Sequence, residues 1–406
     1  MDIFDYAGHF IQQLVRLHDP GRPMQIELHP GLHCDRYQCP HCFGHGQRPL
    51  AGRVLAAEEI ARALDEVAHC DPLIVMSGVT TEPLTHPQAA AIIDAVRSRN
   101  LRLGLYTKGL RFDRACTEAL LQGEAECFVT FSLDAFDAAD YQALHAIKPG
   151  GAGRGEGTPG EAYFDRVCAN IRSLYSEKLR RGHRTQVRIA ILLFRENIAG
   201  DLEADLEPLT EMADLVRVAV AQDRNDGGRV PNLPEEREAL LDGLAARFRG
   251  HPKIRVLAGT AVPVRAASFT RCHTQRFQVT VDKSGNLYPC PQVAVAPYGH
   301  LAYGNLRSGP LGDLLRSPER RRLFEQDVAT AMRCRICDRK DEAINRALGR
   351  MDPPSPHVPP TSLSVPVGGA VVLPAHRAPG PPDDALPAAA MAEDLASPGR
   401  RGHVRG

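Results

Sequence analysis

The sequence predicts an α/β protein built on a parallel sheet, followed by a small second module and a tail. Three observations carry this. Six strand-like segments alternate with helix-like ones between residues 24 and 221, a second set of clustered cysteines begins at Cys272, and the last 55 residues, Asp352–Gly406, hold twelve prolines and neither a cysteine nor an aromatic residue.

The expected strands are Met24–His29, Leu73–Ser77, Leu101–Thr107, Cys127–Leu133, Val187–Phe194 and Leu215–Ala221. Helical patterns such as AAEEIARALDEVA, HPQAAAIIDAVRSRN and AYFDRVCANIRSLYSEKLR lie between them. Strands that alternate with helices pair in parallel through right-handed crossovers, either as a barrel short of eight units or as an open doubly wound sheet. Both architectures put chemistry at the C-terminal ends of the strands. The stretch Lys148–Ala162 is rich in glycine and reads as a long loop. The boundaries expected are an N-terminal amphipathic helix at 1–23, the sheet domain at 24–225, a linker with one helix at 226–264, a second module at 265–345 and a disordered tail at 352–406.

Composition limits the classes of function. Lys plus Arg and Asp plus Glu both number 49, so no basic excess points to nucleic acid. No apolar run reaches the roughly 18 residues a membrane span needs, and the N-terminus lacks the order of a secretion signal. A cytoplasmic chain that binds neither nucleic acid nor membrane is the expectation. In that setting closely spaced cysteines mean metal rather than disulfides.

Seven of the eleven cysteines are clustered. Cys34, Cys39 and Cys42 follow the first strand in a C-x4-C-x2-C spacing. Three thiolates on a short loop can hold three irons of a cubane cluster and leave the fourth open. The same spacing admits a structural zinc closed by His33 or His41. The second set is Cys272 and Cys290, in a C-x12-G-x4-C pattern across a hairpin (Phe277–Val281 and Asn286–Tyr288), then Cys334 and Cys337. Four thiolates close a metal site. Helical segments are expected at Leu311–Arg316 and Glu319–Gln326. Cys70, Cys116, Cys127 and Cys168 stand alone and read as small buried hydrophobes.

The first module resembles the radical S-adenosylmethionine (SAM) superfamily, whose signature is three cysteines after the first strand of a partial (β/α)6 barrel. The usual spacing is C-x3-C-x2-C, and here the first gap is one residue longer. After the second strand, Ser77-Gly78-Val79-Thr80-Thr81-Glu82-Pro83 resembles the family's Gly-Gly-Glu-Pro segment, which binds the amino group of SAM. Tyr106-Thr107-Lys108-Gly109 resembles its Thr-Asn-Gly turn, and Phe131-Ser132-Leu133-Asp134 its Ser-Leu-Asp strand ending. The second module is similar to the twitch module, a shortened SPASM domain that binds an auxiliary [4Fe-4S] cluster.

The resemblance implies a SAM-binding [4Fe-4S] cluster on Cys34, Cys39 and Cys42. It implies an auxiliary cluster on Cys272, Cys290, Cys334 and Cys337, and cofactor contacts from His41, Gly78, Thr80, Thr81, Glu82, Ser132 and Asp134. It implies reductive cleavage of SAM to a 5′-deoxyadenosyl radical, a flavodoxin- or ferredoxin-type electron donor, and an auxiliary cluster that accepts an electron from the substrate. Peptide-maturing members often carry an added N-terminal recognition domain. Only 23 residues precede the first strand here, so a sugar-, cyclitol- or nucleoside-like small molecule is expected ahead of a peptide. Arg188 and Arg217, inside apolar strands, either anchor a carboxylate or phosphate at the barrel mouth or face a solvated end.

Overall fold

The computed structural model describes residues 21–32, 34, 37–147, 159–224, 228–261, 269, 271–326 and 337–349. The expected N-terminal helix, the glycine-rich residues 148–158 and the tail from 350 lie outside them. Ten strands form one sheet: β1 Gln25–His29, β2 Leu73–Met76, β3 Arg102–Thr107, β4 Cys127–Ser132, β5 Gln186–Leu193, β6 Leu215–Val220, β7 Ile254–Val256, β8 Gln278–Asp282, β9 Asn286–Tyr288 and β10 Gly304–Asn305. Their order is β10-β9-β8-β1-β2-β3-β4-β5-β6-β7. Strands β1 to β7 run parallel in sequence order, each beside the next, as right-handed crossovers of a partial barrel require.

The helices are α1 Ala57–Val67, α2 Ala89–Arg97, α3 Arg114–Leu120, α4 Ala138–Leu144, α5 Pro159–Arg181, α6 Leu202–Leu206, α7 Arg237–Arg247, α8 Leu311–Leu315, α9 Pro318–Glu325 and α10 Arg339–Gly349. Alternate strand residues pack under the crossover helices: Ile26, Leu28, Ile74, Met76, Leu103, Leu105, Val129, Phe131, Ile189, Ile191, Val216 and Val218 belong to the same apolar core as Ile60, Leu64, Ile92, Ile93, Val167 and Ile171. The intervening positions face the concave side, the barrel lumen. They mix polar residues, Glu27, His29, Ser77, Thr130, Arg188, Arg217 and Thr280, with apolar ones such as Val75, Phe128, Ala190 and Ala219.

Three differences from the sequence reading have physical causes. Residues 226–264, expected as a linker with a helix, contain that helix (α7) and also β7, which pairs with β6; at three residues it is too short to show a period. The glycine-rich stretch ends earlier than expected, because α5 starts at Pro159, a residue whose fixed φ suits a first helical turn. The hairpin of the second module does not stand apart: β8 pairs in parallel with β1, from Gln25 opposite Gln278 to His29 opposite Asp282.

Candidate functional site

The loop after β1 brings its three cysteines onto the C-terminal end of the sheet. Cys34 and Cys42 are half-buried and Cys39 is buried. The Cys42 thiol donates to the Val79 carbonyl at 3.0 Å, which ties the cysteine loop to the loop after β2. Close approach there depends on glycine: a Cβ on Gly78 would fall 2.3 Å from Thr81 Oγ1, and one on Gly31 only 2.1 Å from the Glu82 carbonyl oxygen. Burial raises all three thiols, Cys39 to about 11. The fields of Cys39, Cys42 and Glu82 push Cys34 further in the same direction. Thiols that feel one another's charge in a dry site ionise together only when a metal cation balances them, which is the donor chemistry an iron–sulfur cluster requires. His33 lies outside the described residues.

The loop after β2 adds polar oxygen atoms. The hydroxyls of Thr80 and Thr81 are buried and lack hydrogen-bond partners among the described residues. Such orphans are what a missing polar ligand leaves behind. The buried Glu82 carboxylate accepts from the Thr107 hydroxyl at 2.5 Å, the Lys108 amide at 2.8 Å and, more weakly, the Leu84 amide at 3.3 Å. Burial raises its pKa against these donors. A carboxylate has about four acceptor sites, so one remains for an external donor. The turn after β3 needs Gly109, whose φ is +80° and whose amide donates to Thr107 Oγ1 at 2.9 Å.

The ending of β4 completes the cluster. Asp134 is buried in the left-handed region, φ +57°, which aspartate tolerates better than most residues. Its Oδ1 accepts from the Leu192 amide at 3.1 Å, and Oδ2 lies 3.0 Å from the Lys108 ammonium and 3.7 Å from His41 Nε2. Burial opposes its charge, but Lys108 and His41 hold the carboxyl far below its usual range. The His41 ring is buried against Phe194, with centroids 4.8 Å apart, and burial lowers its pKa. Ser132 gives its carbonyl to Lys108 at 3.4 Å.

Two further residues of this cluster are not among the expected site residues. Lys108 stands in the strand-three motif, where the sequence marks it only as a departure from asparagine. His145, just after α4, is fully buried: Nε2 lies 3.0 Å from the Leu133 carbonyl, while Nδ1 faces Cys39 Sγ and the Lys108 ammonium, each at 3.2 Å. With Nε2–H donating to that carbonyl, Nδ1 accepts from Lys108. The Tyr37–Tyr141 hydroxyl pair, at 3.0 Å, walls off this side. Cys39, His41 and His145 bring ligand atoms within 4.8 Å of one another, the seed of a zinc site. A divalent cation there would meet the Lys108 ammonium at close range, which disfavours it.

In the second module Cys272, Cys290 and Cys337 converge, while Cys334 lies outside the described residues. Burial holds the Cys337 thiol well above its usual pKa, and the fields of Asp341, Cys272 and Cys290 add to it. Asn345 on α10 fastens the Cys272 turn through its Oδ1, which accepts from the amides of His273 and Thr274 at 2.6 and 3.0 Å. These supporting residues of α10 had no motif to reveal them.

Residues 272–338 match the SPASM iron–sulfur cluster-binding domain. Among solved structures the chain is similar to Streptococcus suis SuiB bound to S-adenosylmethionine, at 13% identity over 79% of this chain and 72% of that one, with a TM-score of 0.53. It is also similar to SuiB bound to its precursor peptide SuiA, at 14% identity over 79% and 70%, TM-score 0.50. At these identities the likeness is one of fold. BtrN in complex with AdoMet and 2-DOIA is more distant, at 14% identity, 75% and 87% coverage and a TM-score of 0.36. No curated protein matches the sequence. Among the described residues no helix is long and apolar enough to cross a membrane.

Proposed function

For a chain with the radical SAM fold and a C-terminal SPASM iron–sulfur module, we propose a radical SAM enzyme that acts on a polar small molecule, a sugar-, cyclitol- or nucleoside-like intermediate. The observation that carries the reading is the convergence of Cys34, Cys39 and Cys42 with the orphaned Thr80 and Thr81 hydroxyls and the Glu82 carboxylate at one end of the sheet. When bound, a cluster held by three thiolates leaves one iron for SAM and delivers the electron that cleaves it to methionine and the hydrogen-abstracting 5′-deoxyadenosyl radical.

The chain's own residues bind and orient. Cys34, Cys39 and Cys42 hold the cluster. Gly78 keeps the β2 loop close, so that Thr80, Thr81 and the remaining acceptor site of Glu82 face the amino-acid end of SAM. His41, against Phe194, offers an apolar wall for adenine, and Ser132 and Asp134 lie at the β4 end for the ribose. Cys272, Cys290, Cys334 and Cys337 hold the auxiliary cluster as an electron acceptor. A flavodoxin- or ferredoxin-type protein supplies the reducing electron. The polar lumen below, with Glu27, Ser77 and Thr130, supports a substrate rich in hydroxyls. A peptide is the second reading, favoured by the fold shared with SuiB, which has been solved with its precursor peptide.

Metal analysis tests this. After anaerobic reconstitution the chain is expected to hold about eight iron atoms, two cubane clusters' worth. Stoichiometric zinc without iron would overturn the reading.

A further inference from the structure

The lumen carries two arginines that form no ion pair among the described residues; the Glu126 carboxylate acts on Arg188 only through its field. Arg188 on β5 and Arg217 on β6 both stand on its face, since their flanking residues Val187, Ile189, Val216 and Val218 are fully buried in the core under the helices. The Arg188 guanidinium lies over the Phe128 ring, 4.1 Å from its centroid. In register, Arg188 is opposite Thr130, while Arg217 is opposite Ala190 on one side and Arg255 on the other. Arg217 is thus the diagonal neighbour of Arg188 and the direct neighbour of a third arginine. Like charges opposed across strands destabilise a sheet.

Two other arginines, Arg97 buried and Arg255 half-buried, show what a structural guanidinium looks like here. Arg97 gives its protons to the carbonyls of Gln122, Leu101, Ala125 and Gly123. Arg255 turns Nη1 onto the carbonyls of His251 and Ile254. Arg188, only 4% exposed, hydrogen-bonds among the described residues only to the Gln186 amide oxygen, from Nε at 3.1 Å and Nη2 at 2.5 Å. Arg217 makes no hydrogen bond or ion pair among the described residues, and its Nε is buried without a partner. The Thr130 hydroxyl, in register with Arg188 on the same face and 1% exposed as a residue, is likewise buried and has no partner among the described residues. Two guanidiniums, Arg188 buried and Arg217 half-buried, beside an orphaned hydroxyl are the complement of an oxyanion.

We propose that Arg188, Arg217 and the Thr130 hydroxyl form an oxyanion site in the lumen, which takes a carboxylate or phosphate group of the substrate. The site also bounds the substrate's length. Arg188 lies four residues from Leu192, whose amide holds Asp134 at the cofactor end of the same strand; at strand rise this is about 13 Å. The anchored group and the reacting C–H are therefore separated by no more than a small metabolite or a short side chain.

The proposal rests on the radical SAM reading only in calling the occupant a substrate. The test is anaerobic calorimetry on the reconstituted full chain, with inorganic phosphate and succinate as separate probes and no SAM present. Saturable binding of at least one probe at one site per chain is expected, and the tighter probe identifies the group. Arg188→Gln and Arg217→Gln, at unchanged iron content, are each expected to weaken it by about tenfold or more, as loss of a charge-assisted bond does. Because either variant can misfold, the wild-type chain provides a second measurement: the better probe is expected to protect Arg188 and Arg217 from phenylglyoxal, read by peptide mass spectrometry. Absence of saturable binding, equal affinity in the variants, or arginines modified at the same rate with and without probe would each overturn the site. Failure of SAM cleavage would leave these results standing, and failure of oxyanion binding would leave SAM cleavage untouched.

Discussion

Lys108 and Asp134 are the most consequential pair of side chains at the candidate site. Burial works against both charges, yet Asp134 lies well below and Lys108 above the ordinary range, because the ammonium and carboxylate sit 3.0 Å apart in a dry setting. Removing one partner strands the other. Lys108→Met is expected to lower stability by about 3–5 kcal/mol, the range for breaking a buried pair, and adding Asp134→Asn to recover much of it. Denaturant titration of the single and double variants checks this; a loss under about 1 kcal/mol for Lys108→Met would show that the charge is not needed where it lies. The cysteines, Glu82 and Asp134 were legible in the sequence because each stands at a fixed offset from a strand end. Lys108 was visible only as a departure from an expected asparagine. His145 was not visible at all, since a lone histidine 37 residues from Lys108 has neither period nor motif.

Whole elements were easier to read than their pairing. Strands β2 to β6 appear largely as apolar runs because both faces are covered, which hid the alternation between core and lumen; Glu27 and His29 on β1 and the arginines of β5 and β6 were signs of a second, polar face. Long-range clamps left no trace. Arg307, between β10 and α8, gives Nε and Nη2 to the Glu59 carboxylate at 2.8 and 3.2 Å across 248 residues, and donates to the carbonyls of Ser284, Arg53 and Val54. Glu59 also accepts from the Ala56 amide at the start of α1. The Arg307 bonds, followed by that of Ala56, depress the Glu59 carboxyl to about 2. A carboxylate with a depressed folded-state pKa adds stability above its unfolded value of 4.5 and loses it as pH falls through about 2. Glu59→Gln is therefore expected to cost about 1–2 kcal/mol near neutral pH, allowing for solvent at the partly exposed arginine. The gap between variant and wild type should narrow progressively below pH 4.5. Denaturant midpoints taken across that range check it, and a gap that is constant with pH would assign the effect to packing.

At the scale of the molecule, the two cysteine modules are built onto one sheet. The amides of Met24 and Gln25 both donate to the Phe277 carbonyl, and β8 continues the pairing alongside β1, so the strand that leads to Cys34, Cys39 and Cys42 is held directly by the hairpin that carries Cys290. The sequence announced both modules and their order, through spacing that local chemistry dictates. It did not announce their union, because parallel pairing between segments some 250 residues apart leaves no local mark. The central claim is that the first module's three thiolates support SAM chemistry while the second module's four do not. It is tested most directly by assaying 5′-deoxyadenosine after anaerobic incubation with SAM and a reductant. The wild-type chain and the Cys34→Ala/Cys39→Ala/Cys42→Ala variant would be compared, the variant qualified by about four remaining iron atoms. The expected result is deoxyadenosine from the wild type and none from the variant. A variant that still cleaves SAM, or a wild-type chain with full iron that never does, would contradict it.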